Sequence, residues 1–227
     1  MKRFASALAL AAATATSSAA FAASQDQLQL IPAASKTYGV VNITANNAAD
    51  AAAGQNQLSV TVTDAGPGMA CFTFHNEGAQ AMTITNIYFE NTLGQLTGSP
   101  SIQANADTSY TTLNGNLNLP GGNQPAVNFS EAYGIKPTSQ GGKIANAINL
   151  GEELTVCFNL TGSFQELITA LDTADRVGFH VQAFDSEGSE SFVTVPNAVP
   201  TPSAVGLGMG LLGLAAARRR REQSPDA

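Results

Sequence analysis

Polar and apolar residues alternate along most of the chain with the period of two that marks a half-buried β-strand. Gln57 to Thr63 is the clearest case, with Leu58, Val60 and Val62 expected on the inner face. Ala65-Gly66-Pro67-Gly68 then reads as a turn, and Ala70 to His75 as the returning hairpin partner. Thr37 to Ala45, Met82 to Glu90 (with a break in period near Asn86), Ala126 to Ala132 and Glu153 to Leu160 read as further strands. Val177 to Phe184 and Glu190 to Val195 read as a final hairpin around Asp185 to Ser189. Leu93 to Gln124 is polar and rich in glycine, and is expected as a long loop or a set of short edge strands. One stretch has a helical period instead. Phe164, Leu167, Ile168 and Leu171 form a single apolar stripe, Ser163 and Glu166 fit a capping box, and the helix should end near Asp175. Many short strands with one packed helix predict an all-β fold, an antiparallel β-sandwich with a jelly roll as one form of it.

Both ends of the chain break this pattern. Lys2 and Arg3 precede a short apolar run, Phe4 to Ala15, and Ala20-Phe21-Ala22 places small residues where a signal peptidase requires them. Residues 1–22 are therefore expected to be a signal peptide cut between Ala22 and Ala23. At the other end, residues 196–202 read as a Pro/Ala linker that includes Val199-Pro200-Thr201-Pro202. Residues 203–217 read as an apolar transmembrane sorting helix, and residues 218–227, beginning Arg218-Arg219-Arg220-Arg221, as a basic cytoplasmic tail. Arginine is costly to carry through hydrocarbon, so the tail should stay inside while residues 23–195 lie outside. At about 1.5 Å per residue the helix from Pro202 to Ala217 spans about 24 Å, against about 30 Å of bilayer core, a marginal anchor. The two prolines favour an extended backbone, the form in which a protease reads its substrate.

A proline motif, a Gly/Leu/Ala-rich helix and a terminal arginine cluster, in that order, resemble the PEP-CTERM sorting signal. Thr201 stands where the family usually has Glu, and Glu222 to Ala227 extend past the arginines, where it usually stops. The resemblance covers about residues 197 to 221. It implies a Gram-negative bacterium that makes extracellular polysaccharide. It also implies a transient stay in the inner membrane, processing by an exosortase-like membrane protease, and delivery to the cell surface or exterior. A plain C-terminal anchor is the other reading of the same residues. Leu119-Pro120-Gly121-Gly122-Asn123, Asn149-Leu150-Gly151-Glu152 and the segments Val177 to Gln182 and Ser189 to Phe192 are similar to ectodomains that carry such tails. No activity follows from that second resemblance.

Charge and cysteine count narrow the classes. Residues 23–197 hold 4 basic and 15 acidic residues, a formal charge of −11. That argues against nucleic acid and anionic membrane surfaces as partners. Cys71 and Cys157 are the only cysteines. Each sits opposite the apolar face of its strand, so neighbouring strands would give a cross-strand disulfide, and separated strands two free thiols. His75 and His180, the only histidines, have no metal-site spacing. Asp185-Ser186-Glu187-Gly188-Ser189-Glu190 has the acidic look of a calcium loop without its spacing, and a solvated turn is the better reading. No nucleophile elbow or catalytic carboxylate pair stands out.

Neither catalytic residues, nor a cofactor, nor a metal site is expected. The leading expectation is a non-enzymatic surface or matrix protein associated with exopolysaccharide or biofilm. A carbohydrate-binding module is the first alternative, although Trp is absent and Tyr38, Tyr88, Tyr110 and Tyr133 are dispersed. An extracellular hydrolase is the second.

Overall fold

The computed structural model describes residues 33–138 and 144–196. The signal-peptide cleavage residues Ala20, Ala22 and Ala23 lie outside them, as do the sorting residues Val199 to Pro202 and Arg218 to Arg221 and the expected membrane helix. Among the described residues no helix is long and apolar enough to cross a membrane.

The chain is mostly antiparallel β. Its strands are β1 (Ser35–Asn42), β2 (Leu58–Asp64), β3 (Met69–Asn76), β4 (Thr83–Glu90), β5 (Leu96–Gln103), β6 (Tyr110–Thr112), β7 (Glu131–Pro137), β8 (Glu153–Leu160), β9 (Val177–Gln182) and β10 (Glu190–Val195). They form one continuous ladder in the order β5-β8-β3-β2-β1-β10-β9-β4-β7-β6. The two faces expected of a sandwich are therefore halves of one sheet, curled until edge strands β5 and β6 approach without pairing, a nearly closed barrel.

Alternation decides which side chains enter. Leu58, Val60 and Val62 are fully buried, as their period predicts. Phe72, Phe74, Phe89, Phe158 and Phe179 meet them edge-to-face, with ring centroids 4.9 to 6.0 Å apart. Such pairs add about 0.5–1.5 kcal/mol each beyond burial. The period break in β4 is a register shift between Ile84 and Asn86. It lets Ile84, Ile87 and Phe89 all point inward, while the Thr85 hydroxyl donates to the His180 carbonyl at 3.1 Å.

Two expectations change. Residues 126 to 130 are not strand, and β7 begins at Glu131. Leu119 and Phe129 instead cover the apolar outer side of Tyr88 and Val193, so burial on that face outweighs the local β pattern. The second change is an additional helix, α1 (Ala48–Gln57). The expected helix is present as α2 (Phe164–Thr173), with both halves of its capping box and with Leu167, Ile168 and Leu171 in the core. It stops two residues short of Asp175, whose carboxylate instead accepts from the Thr92 amide at 2.6 Å.

The helices sit at opposite ends of the strands. Lys36, near the start of β1, pairs with Asp172 of α2 at 2.6 Å. Asn42, at the end of β1, donates its amide to Gln55 of α1 at 3.0 Å.

Candidate functional site

Strands β3 and β8 are neighbours, and Cys71 lies directly opposite Cys157. They form a disulfide with an S–S distance of 2.01 Å that closes a separation of 86 positions. The histidines do not meet: His75 is on β3 and His180 on β9, with β2, β1 and β10 between those strands. His75 Nδ1 lies 3.5 Å from Glu153 and 3.6 Å from Glu77, whereas His180 faces Ser191 at 3.4 Å. Among the described residues no group of three or more His, Cys, Asp or Glu could hold a metal ion. Tyr38, Tyr88 and Tyr110 are buried, so they supply no flat aromatic face to solvent.

Two buried carboxylates are fully occupied. Glu90 takes both ends of the Arg176 guanidinium at 2.8 Å and the Ser130 amide at 2.8 Å. Glu190 belongs to the segment expected as a solvated turn, yet it is 1% exposed. It accepts from the Asn42 side chain (2.9 Å), the Thr44 hydroxyl (2.5 Å) and the amides of Asn46 (3.3 Å) and Asn47 (2.6 Å). Burial alone would push its carboxyl upward. The hydrogen bonds from Thr44, Asn42, Asn47 and Asn46 outweigh burial and hold it below its ordinary value.

Through Asn47, Glu190 sets the start of α1. The Asn47 side chain accepts from the amides of Ala49 (2.9 Å) and Asp50 (3.4 Å) and so caps the helix. The sequence of α1, Ala-Ala-Asp-Ala-Ala-Ala-Gly-Gln-Asn-Gln, has no apolar stripe, and its inward residues are Asp50, Gly54 and Gln57. Gly54 is required there, since a Cβ would lie 2.2 Å from the ring of buried Phe192. Gln57 donates to Asn76 and to the Gln80 carbonyl, both at 2.9 Å, which ties the far end of α1 to the strand ends.

Between α1 and the β9–β10 hairpin lies a half-open cavity of about 320 Å³. Asp50, Ala53 and Phe184 form its floor, and Asn56, Gln80 and Asp185 stand on its rim. Three of the four non-glycine residues with positive φ among the described residues are in the loops flanking it: Ala45, Ala183 and Glu187. Such a backbone costs of order 1–3 kcal/mol per residue and persists only where its surroundings enforce it. Here it turns Phe184 inward and leaves Asp185 at the rim. The Ser186 hydroxyl donates to Asp50 Oδ2. The cavity was not foreseen because its parts lie 136 positions apart, on a helix without periodicity and in a turn.

No family model matches the chain, and no curated protein matches it. Among solved structures, one described under "pH-induced modulation of Streptococcus parasanguinis adhesion by Fap1 fimbriae" is 13% identical. It matches 75% of this chain and 98% of its own, with a TM-score of 0.39. A likeness at that level carries no argument about fold or activity.

Proposed function

We propose that this is an exported, non-enzymatic protein of the cell surface or extracellular matrix, sorted by its PEP-CTERM-like tail and associated with exopolysaccharide. Signal peptidase acts before Ala23, and an exosortase-like protease acts at Val199 to Pro202, while the helix and Arg218 to Arg221 hold the chain in the inner membrane. The observation that supports the reading is the Cys71–Cys157 disulfide in a strongly acidic β-domain. A bridge of this kind persists in oxidising compartments and is rare in the cytosol. The experiment is the intact mass of the native protein recovered from the secreted fraction and from membranes. The expected species begins at Ala23, ends near Pro202 and lacks the two thiol hydrogens. A reduced chain found folded in the cytosol with both ends intact overturns the proposal.

A further inference from the structure

We propose that the cavity between α1 and the β9–β10 hairpin binds a small organic cation, an ammonium group on a compact carrier. The observation behind this is an unfinished carboxylate. Asp50 is 8% exposed, about as buried as Glu90 at 4%. Every oxygen of Glu90 and Glu190 is hydrogen-bonded. Asp50 has its Oδ2 engaged by Ser186, and its Oδ1 accepts no hydrogen bond among the described residues. Leaving a buried charged oxygen without a donor is expensive, so a site that does so is complete only with a ligand. An ammonium supplies donors and a compensating charge together.

The rim agrees with that assignment. Among the described residues, the side chains of Asn56, Gln80 and Asp185 are unused in hydrogen bonds within the protein, yet all three border the same cavity. Elsewhere at this end of the barrel the polar side chains of Gln57, Asn76 and Glu190 are all engaged. Asp185 adds a second negative charge, and the carboxamides can serve hydroxyl groups on the carrier. Ala53 and Phe184 give the floor an apolar surface that suits carbon and repels hydration. A bare metal ion fits poorly, since calcium takes about 6–8 oxygens and only two carboxylates converge here. Anions are opposed by both aspartates and by the charge of the domain. The volume of about 320 Å³ suits a single sugar-sized molecule and not a folded partner.

Three probes of nearly equal shape separate charge from shape: glucosamine, N-acetylglucosamine and glucose. Each is titrated into the isotope-labelled full-length chain in non-ionic detergent, with calcium chloride as a fourth titrant, and backbone amide shifts are followed by NMR. Glucosamine is expected to give saturable shifts confined to Ala49 to Asn56 and Phe184 to Gly188, and the two neutral sugars none. Asp50→Asn is expected to weaken glucosamine binding about tenfold, and Asp185→Asn about threefold, as charge-assisted contacts are removed. Asp185 is exposed and makes no internal hydrogen bond, so D185N decides the matter if D50N does not fold. Absence of saturable shifts with glucosamine overturns the proposal. So do equal shifts with the neutral sugars, calcium binding at the same amides below the glucosamine concentration, or unchanged binding in D185N when D50N is unfolded.

Discussion

The two helices close opposite ends of one barrel in opposite ways. Helix α2 is a plug. Its apolar stripe enters the core, its capping box is complete, and Arg176 and Asp175 just beyond it find partners for their charges. Helix α1 is a platform. It turns Asp50, Gly54 and Gln57 inward, approaches Phe192 closely only because Gly54 lacks a side chain, and leaves a cavity beside it with polar groups unspent. Burial of apolar area fixes a plug without constraining its solvent face. A platform is held by hydrogen bonds to particular atoms, so its geometry is set at the polar groups themselves. The contrast assigns stability to one end of the molecule and recognition to the other.

The largest expected effect tests the wall that both helices close. Replacing Cys71 and Cys157 together by Ser frees a loop of 86 positions. In the chain-entropy account this costs about 4 kcal/mol. Urea unfolding of the oxidised protein and of the double variant, under identical conditions, measures the difference. A loss below about 1 kcal/mol would show that the strand ladder alone holds β3 against β8.

A smaller effect separates the ends. Glu190→Ala strips the loop before α1 of its shared acceptor and leaves the Asn46 and Asn47 amides unpaired, at about 3 kcal/mol. The same residue makes the α1 end acid-sensitive. Its folded carboxyl titrates below the ordinary value of 4.5, so the ionised form favours the folded state. That contribution is complete above pH 4.5 and is lost as pH falls through the lower folded value. His180 acts in the same direction at higher pH. Burial holds its imidazole below 6.5, so the unfolded chain takes up the proton first as pH drops through that value. Unfolding midpoints measured from about pH 7 to 3 should fall in two stages, and Glu190→Gln should remove much of the later one.

How much of this was legible follows the same division. Helix α2 could be read because Ser163, Glu166 and the Phe164/Leu167/Ile168/Leu171 stripe carry their own signal. Strands β2, β3 and β8 could be read from alternation, and the cysteine pairing from which face of each strand the sulfur occupies. Ala126 to Ser130 misled because a polar-apolar alternation there serves a loop that shields Tyr88 and Val193. Helix α1 was invisible because its inward residues are polar, and no hydrophobic period marks a helix held by Gln57, Asn47 and Glu190. Glu190 read as a solvated acid because its four donors come from a loop about 150 positions earlier, and nothing local announces them.

The smallest effect gives the sharpest test of the contrast, because the two caps are chemically similar. Ser163→Ala and Asn47→Ala each remove a side-chain acceptor from a helix start, and each should cost about 1 kcal/mol. Their consequences for binding should differ. Ser163 anchors the plug, so S163A should lower the unfolding midpoint and leave the glucosamine affinity unchanged. Asn47 holds the amides of Ala49 and Asp50, so N47A should lower both, with affinity down about threefold as Asp50 loses its fixed position. Equal affinity in the two variants would place Asp50 under the control of Ser186 alone. A loss of affinity in S163A would mean that the ends of the barrel are coupled through its core.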